Sequence, residues 1–192
     1  MVVQTMLPLM QREGSRLVLA QRGDLLEVAH LSVFLQVSTI MGGLIGMLTQ
    51  PLYGAIADAH ARGDHKWCET RLTQARRLGV LLAATVCVIG YFIGPQIMRG
   101  WLGAGIGISG EECFGFSLYF GVTLLIHVHH VFLLAEGRLR QAVAASALEI
   151  ACMLGIFVLL PIRGAAHILM LMAGIQASTS LILTTWALRR VS

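Results

Sequence analysis

Charge is scarce in this chain: Asp, Glu, Lys and Arg make up only 12% of its 192 residues, about half their share in an ordinary soluble domain. A water-soluble core wrapped in charge is therefore excluded, the more so because 56% of the residues are hydrophobic. Cysteines number only four, and Cys68, Cys87, Cys113 and Cys152 are spaced too widely for a paired metal or redox motif. They read as small apolar filler. No nucleophile elbow, phosphate-binding loop, HExxH or paired CxxC pattern occurs, so an enzyme reading has no constellation to stand on and no cofactor is expected. The net charge of +4 lacks a soluble segment on which a nucleic-acid surface could form, so nucleic acid is not an expected partner. The first 20 residues lack a cationic leader and a small-residue cleavage site, and Pro8 and Arg12 interrupt their apolar stretch; no removable leader is expected.

Long apolar runs are what the chain has in abundance. Leu31–Ala57, Leu78–Ile97, Phe114–Ala135, Ala142–Leu160 and Ala165–Leu188 can each cross a hydrocarbon layer about 30 Å thick, which takes about 20 helical residues. A sixth run, Val2–Ala20, is apolar at both ends but carries Gln11, Arg12, Glu13 and Arg16. The expected fold is all-α: one integral membrane bundle of six transmembrane helices (2–20, 31–57, 78–97, 114–135, 142–160 and 165–188), with no linker to a second domain.

The cations orient these spans. Arg62, Lys66, Arg71, Arg76, Arg77, Arg138, Arg140, Arg189 and Arg190 fall on one side, against Arg22, Arg99 and Arg163 on the other. The positive-inside bias then puts both termini in the cytoplasm. The basic stretch Asp58–Arg77 reads as a topology determinant that can also meet anionic headgroups.

Within the second span, Gly42 and Gly46 stand at the spacing that lets helices approach closely. Pro51 frees a backbone carbonyl, which makes it a candidate hinge.

Two runs carry a resemblance. Gln50-Pro51-Leu52-Tyr53-Gly54-Ala55-Ile56-Ala57-Asp58-Ala59-His60-Ala61-Arg62-Gly63-Asp64 closes one span, and Gly94-Pro95-Gln96-Ile97-Met98-Arg99-Gly100-Trp101-Leu102-Gly103 closes the next. Ala135-Glu136-Gly137-Arg138 and Gly164-Ala165-Ala166 agree more weakly. Together they resemble the C-terminal lobe of the bacterial polysaccharide-export flippases, of the O-antigen and teichoic-acid type, in the multidrug/oligosaccharidyl-lipid/polysaccharide exporter superfamily. Such flippases have two six-helix lobes, and this chain has residues for one. The resemblance implies a bacterial inner-membrane protein that helps move an undecaprenyl-diphosphate-linked oligosaccharide outward, with membrane lipids and a second six-helix lobe or another copy as partners. A cation-coupled multidrug antiporter lobe and a truncated, non-transporting fragment are the alternatives.

Ionisable residues inside spans are the candidate site. Arg12, Glu13 and Arg16 each cost about 2.5–3.5 kcal/mol near the bilayer centre, against about 0.3–0.6 kcal/mol returned per apolar neighbour. The first span is therefore expected to line a cavity, with Glu13 and Arg16 pairing at i, i+3 and Gln4, Gln11 and Ser15 beside Arg12. A guanidinium matches phosphate bidentately and keeps its charge, so Arg12 and Arg16 are the candidate holders of the diphosphate. Glu149 shares a face with Ala142, Ala145, Ser146 and Met153, and with Glu13 it is a candidate for ion coupling. His127 and His130 stand at i, i+3 beside His129; they read as packing histidines, and no metal is expected there.

Overall fold

The computed structural model describes residues 12–21, 24–103, 107–159 and 164–184. Helix α1 covers 12–20. It is followed by α2 (Leu25–Ala61), α3 (His65–Phe92), α4 (Gly94–Leu102), α5 (Gly110–Ala135), α6 (Leu139–Leu159) and α7 (Ala165–Gln176), and α7 continues through a π-helical segment, Ala177–Leu181. Five helical stretches are long and apolar enough to cross a membrane: Leu25–Ala61, His65–Phe92, Gly110–Ala135, Leu139–Phe157 and Ala165–Thr184. The protein is thus a multi-pass α-helical membrane protein. Of the expected sixth span, 2–20, residues 2–11 lie outside the described residues, and the remainder is the helix α1.

Helix ends follow from capping chemistry. Asp24 accepts a hydrogen bond from Glu27 N at 3.2 Å and opens α2. Asp64 accepts from Trp67 N at 3.1 Å and opens α3. Ser109 and Glu112 form a reciprocal capping box at the start of α5, which satisfies two backbone donors that the first turn leaves free. The Arg62–Asp64 stretch is thereby explained: Gly63, at φ 76°, takes the left-handed conformation after α2, and Asp64 restarts the helix at once. What reads in sequence as a basic loop from 58 to 77 is a three-residue turn between two long helices.

The third span also differs from its expected extent of 78–97. Helix α3 runs from His65 to Phe92 and breaks at Ile93, and Pro95 sits in the first turn of the separate helix α4. Proline fits there because a first-turn N–H has no helical acceptor to lose.

Helix α5 is the centre of the bundle, packing most extensively on α3 and then on α7. The α3–α5 contact is close because small residues meet along it. A Cβ on Gly90 would lie 1.7 Å from Ser117 Oγ and one on Gly121 would lie 3.2 Å from Ala83 Cβ; at the start of α4, one on Gly94 would lie 2.9 Å from Cys113 Cβ. Gly42 and Gly46 take no such role, since a Cβ at either would meet nothing within 4 Å. Among the described residues the close approach expected of α2 is made by α3 instead.

Two apolar cores stack along the bundle. One gathers Leu31, Phe34 and Leu35 of α2 with Leu169 and Met172 of α7, Met153 of α6 and Leu19 of α1. The other joins Ile56 and Ala59 at the end of α2 to Cys68 of α3, Phe132 of α5 and Ala142 of α6. The ends of successive helices alternate between these cores, as an up-and-down bundle requires. The starts of α2, α5 and α7 accordingly share one end, linked by His30–Glu112 and by Glu27–Ala165.

Candidate functional site

Helix α1 lies against α2 and α6, and a Cβ on Gly14 would touch Leu154 at 3.8 Å. From this position Arg12 Nη1 donates to Thr39 Oγ1 at 2.5 Å. Thr39 is roughly four turns into α2, so the guanidinium reaches well down the bundle. Arg12 forms no ion pair with a carboxylate among the described residues. Arg16 differs: its Nη1 pairs with Glu13 Oε1 at 2.9 Å, on the more open side of α1. Ser15 is fully buried and donates to Arg12 O at 2.8 Å. Gln4 and Gln11 lie outside the described residues.

Glu149 is 6% exposed, on the same face of α6 as the buried Ala142, Ala145 and Met153. Gln176 Nε2 donates to its Oε1 at 3.0 Å, and Ser180 Oγ donates to its Oε2 at 2.5 Å. Gln176 Oε1 in turn accepts from Thr123 Oγ1 at 3.0 Å. Both carboxylate oxygens therefore receive donors. Ser180 belongs to the π-helical segment Ala177–Leu181, a backbone irregularity that recurs at functional sites. Tyr119, 4% exposed, lies one turn before Thr123, whose Oγ1 donates to the Tyr119 backbone O at 2.9 Å. Polar groups from α5, α6 and α7 thus meet inside the bundle, where unpaired ones are expensive.

The three histidines of α5 diverge. His127 Nε2 meets Thr49 Oγ1 of α2 at 2.9 Å. His129 donates from Nδ1 to Leu125 O at 2.7 Å and accepts at Nε2 from Arg76 Nε at 3.0 Å, so both its nitrogens are used and it is neutral. His127 and His130 are not brought together with a third metal ligand; among the described residues the one such grouping lies elsewhere. Pro51 sits inside the continuous 37-residue helix α2, two residues after the Thr49 that engages His127.

That other grouping joins Glu27, His30 and Glu112, whose ligand atoms all lie within 4.8 Å of one another. His30 and Glu112 are 3% and 5% exposed, and His30 Nδ1 is 2.6 Å from Glu112 Oε1. Glu112 Oε2 accepts from Ser109 N at 2.7 Å, and Glu27 Oε2 accepts from Ala165 N at 2.6 Å. Each carboxylate thus holds the first turn of a helix, where the exposed N–H groups and the helix dipole favour negative charge. Sequence reasoning missed this cluster. Glu27 and His30 stand at i, i+3 and Ser109–Glu112 has the capping-box pattern, but nothing local joins positions 82 residues apart.

Comparison with family models, with curated proteins and with solved structures found no match to the chain. Geometry and composition therefore carry the description: a multi-pass membrane bundle with an internal polar network and a His–carboxylate cluster at one end.

Proposed function

We propose that the chain is one transport lobe of a lipid-linked oligosaccharide flippase, acting at the bacterial cytoplasmic membrane with the Arg62–Asp64 turn inside. The observation that supports it is Arg12. This guanidinium is half-buried on α1, hydrogen-bonded to the hydroxyl of the exposed Thr39 partway along α2 and matched by no described carboxylate. A diphosphate would supply the missing anion. Arg16 already has Glu13, so Arg12 is the leading phosphate contact and Arg16 a secondary one. In this reading the protein is not an enzyme: it rocks against a second lobe or another copy, and its partners are the lipid-linked glycan and the surrounding lipids.

A cation-coupled antiporter lobe is the second reading, favoured by the buried Glu149 with its Gln176 and Ser180 donors. The two separate in one experiment. A flippase-deficient strain is complemented with this chain, alone and with a candidate N-terminal lobe, carrying either Arg12→Gln with Arg16→Gln or Glu149→Gln. The flippase reading expects the arginine changes to abolish glycan export. Export that survives them, with drug efflux lost in Glu149→Gln, supports the antiporter. Failure of the unaltered chain in both assays leaves only a packing fragment.

A further inference from the structure

We infer that Glu27, His30 and Glu112 form a binding site for a divalent transition-metal ion, with zinc the fitting choice. The inference is independent of the transport reading. One imidazole and two carboxylates are a known zinc donor set, and the presence of nitrogen with so few oxygens disfavours calcium and magnesium. Donor atoms around zinc sit about 2.0–2.2 Å from the metal. The three here, already within 4.8 Å of one another, close on an ion by side-chain adjustment alone.

The surroundings are those of a built site. Ser109 N and Ala165 N each fix one oxygen of a carboxylate, the kind of outer hydrogen bond that orients metal ligands. Neither Glu27 nor Glu112 pairs with a described arginine or lysine. Helix dipoles, about half a unit charge at each N-terminus, reduce the charge of two clustered carboxylates without cancelling it. Glu112 pairs with the buried His30 at 2.6 Å, and a metal ion would take the place of that contact while also meeting Glu27.

His30 adds a second, separate observation. A packing histidine satisfies both nitrogens, as His129 does. His30 is 3% exposed, yet its Nε2 has no hydrogen-bond partner among the described residues. The nitrogen that faces the carboxylates is Nδ1, 2.6 Å from Glu112 Oε1, and it is the donor the site would use; Nε2 lies on the ring's opposite edge. Glu27, the half-buried member of the three, gives the cluster its route to the end of the bundle.

The test uses the whole chain, purified in detergent and stripped with chelator. Zinc is titrated by calorimetry, and cobalt by visible absorption. One ion per chain is expected, with a cobalt spectrum of low coordination number and a zinc-dependent rise in melting temperature. His30→Gln and Glu27→Gln are expected to weaken zinc at least about 100-fold, and both keep the melting rise from appearing. Glu27→Gln retains an oxygen to accept from Ala165 N, so the start of α7 keeps its cap. His65→Gln, on the far turn, leaves binding unchanged. Absence of saturable zinc binding to the unaltered chain overturns the inference, and so does zinc affinity unchanged in both variants. The melting shift of the unaltered chain decides the case even where a variant fails to fold.

Discussion

At the scale of single residues, the α3–α5 contact is the most exacting feature. A methyl group on Gly90 would coincide with Ser117 Oγ and crowd Ser117 Cβ at 2.7 Å and Cys113 O at 3.3 Å, and helix backbone has little room to yield. Gly90→Ala is expected to destabilise the bundle by about 1–3 kcal/mol. Adding Ser117→Gly should recover much of that loss, which a double-mutant cycle of unfolding in detergent will read. Some residue-scale facts were legible beforehand because they are local. Helical spacing alone aligns Glu13 with Arg16 and sets Glu149 on the face of Ala142, Ala145 and Met153. The partners of Glu149, Gln176 and Ser180, come from α7 and its π segment, and no spacing within α6 could name them. The same holds for His30 and Glu112.

At the scale of elements, the existence of the long helices could be read from hydropathy, whereas their ends and neighbours could not. Apolar runs end where the hydrocarbon ends, but helices α2 and α3 continue into polar sequence because Asp64 and Gly63 make a stop and restart possible within three residues. This bears on the family resemblance: the Arg62-Gly63-Asp64 turn is capping chemistry that any tight helix–helix connection can use, so it supports a flippase less than Arg12 does. The glycines of α2 face open space. Gly42→Ala and Gly46→Ala are therefore expected to leave the isolated chain as stable or to add up to about 1 kcal/mol each, by helix propensity. A loss of transport with stability retained would place a second lobe against that stripe. Pro51→Ala is expected to raise thermal stability, because it returns a missing backbone hydrogen bond, and, under the proposed function, to lower glycan export in the complementation assay.

At the scale of the whole molecule, the arrangement of helix ends fixes relative sidedness. The α2–α3 and α5–α6 turns share one core with the ends of their helices, including Ile56, Cys68, Phe132 and Ala142, and the α7 start lies with Leu31 and Leu35 at the other. Absolute orientation rests on the cation bias. In a cysteine-free background, Gly107→Cys is expected to react with a membrane-impermeant thiol reagent in intact cells, while His65→Cys and Arg140→Cys react only after permeabilisation. The reverse pattern would invert the proposed orientation and put the Glu27–His30–Glu112 cluster in the cytoplasm.

Helix α2 combines three of these features. Its start is tied to α5 by His30 and to α7 by Glu27, and its far end is sunk into the second core at Ile56 and Ala59. Between them, a Cβ added at 42, 43, 46 or 54 would meet nothing within 4 Å. Mechanically it is a beam of about 55 Å, clamped at both ends and held between them by side-chain hydrogen bonds at Thr39 and Thr49, with a weak point at Pro51. A beam held this way cannot swing; it can only bow. Whatever displacement α2 makes is therefore largest along its bare glycine-bearing stretch, while the Glu27–His30–Glu112 cluster and the Arg62–Asp64 turn stay still.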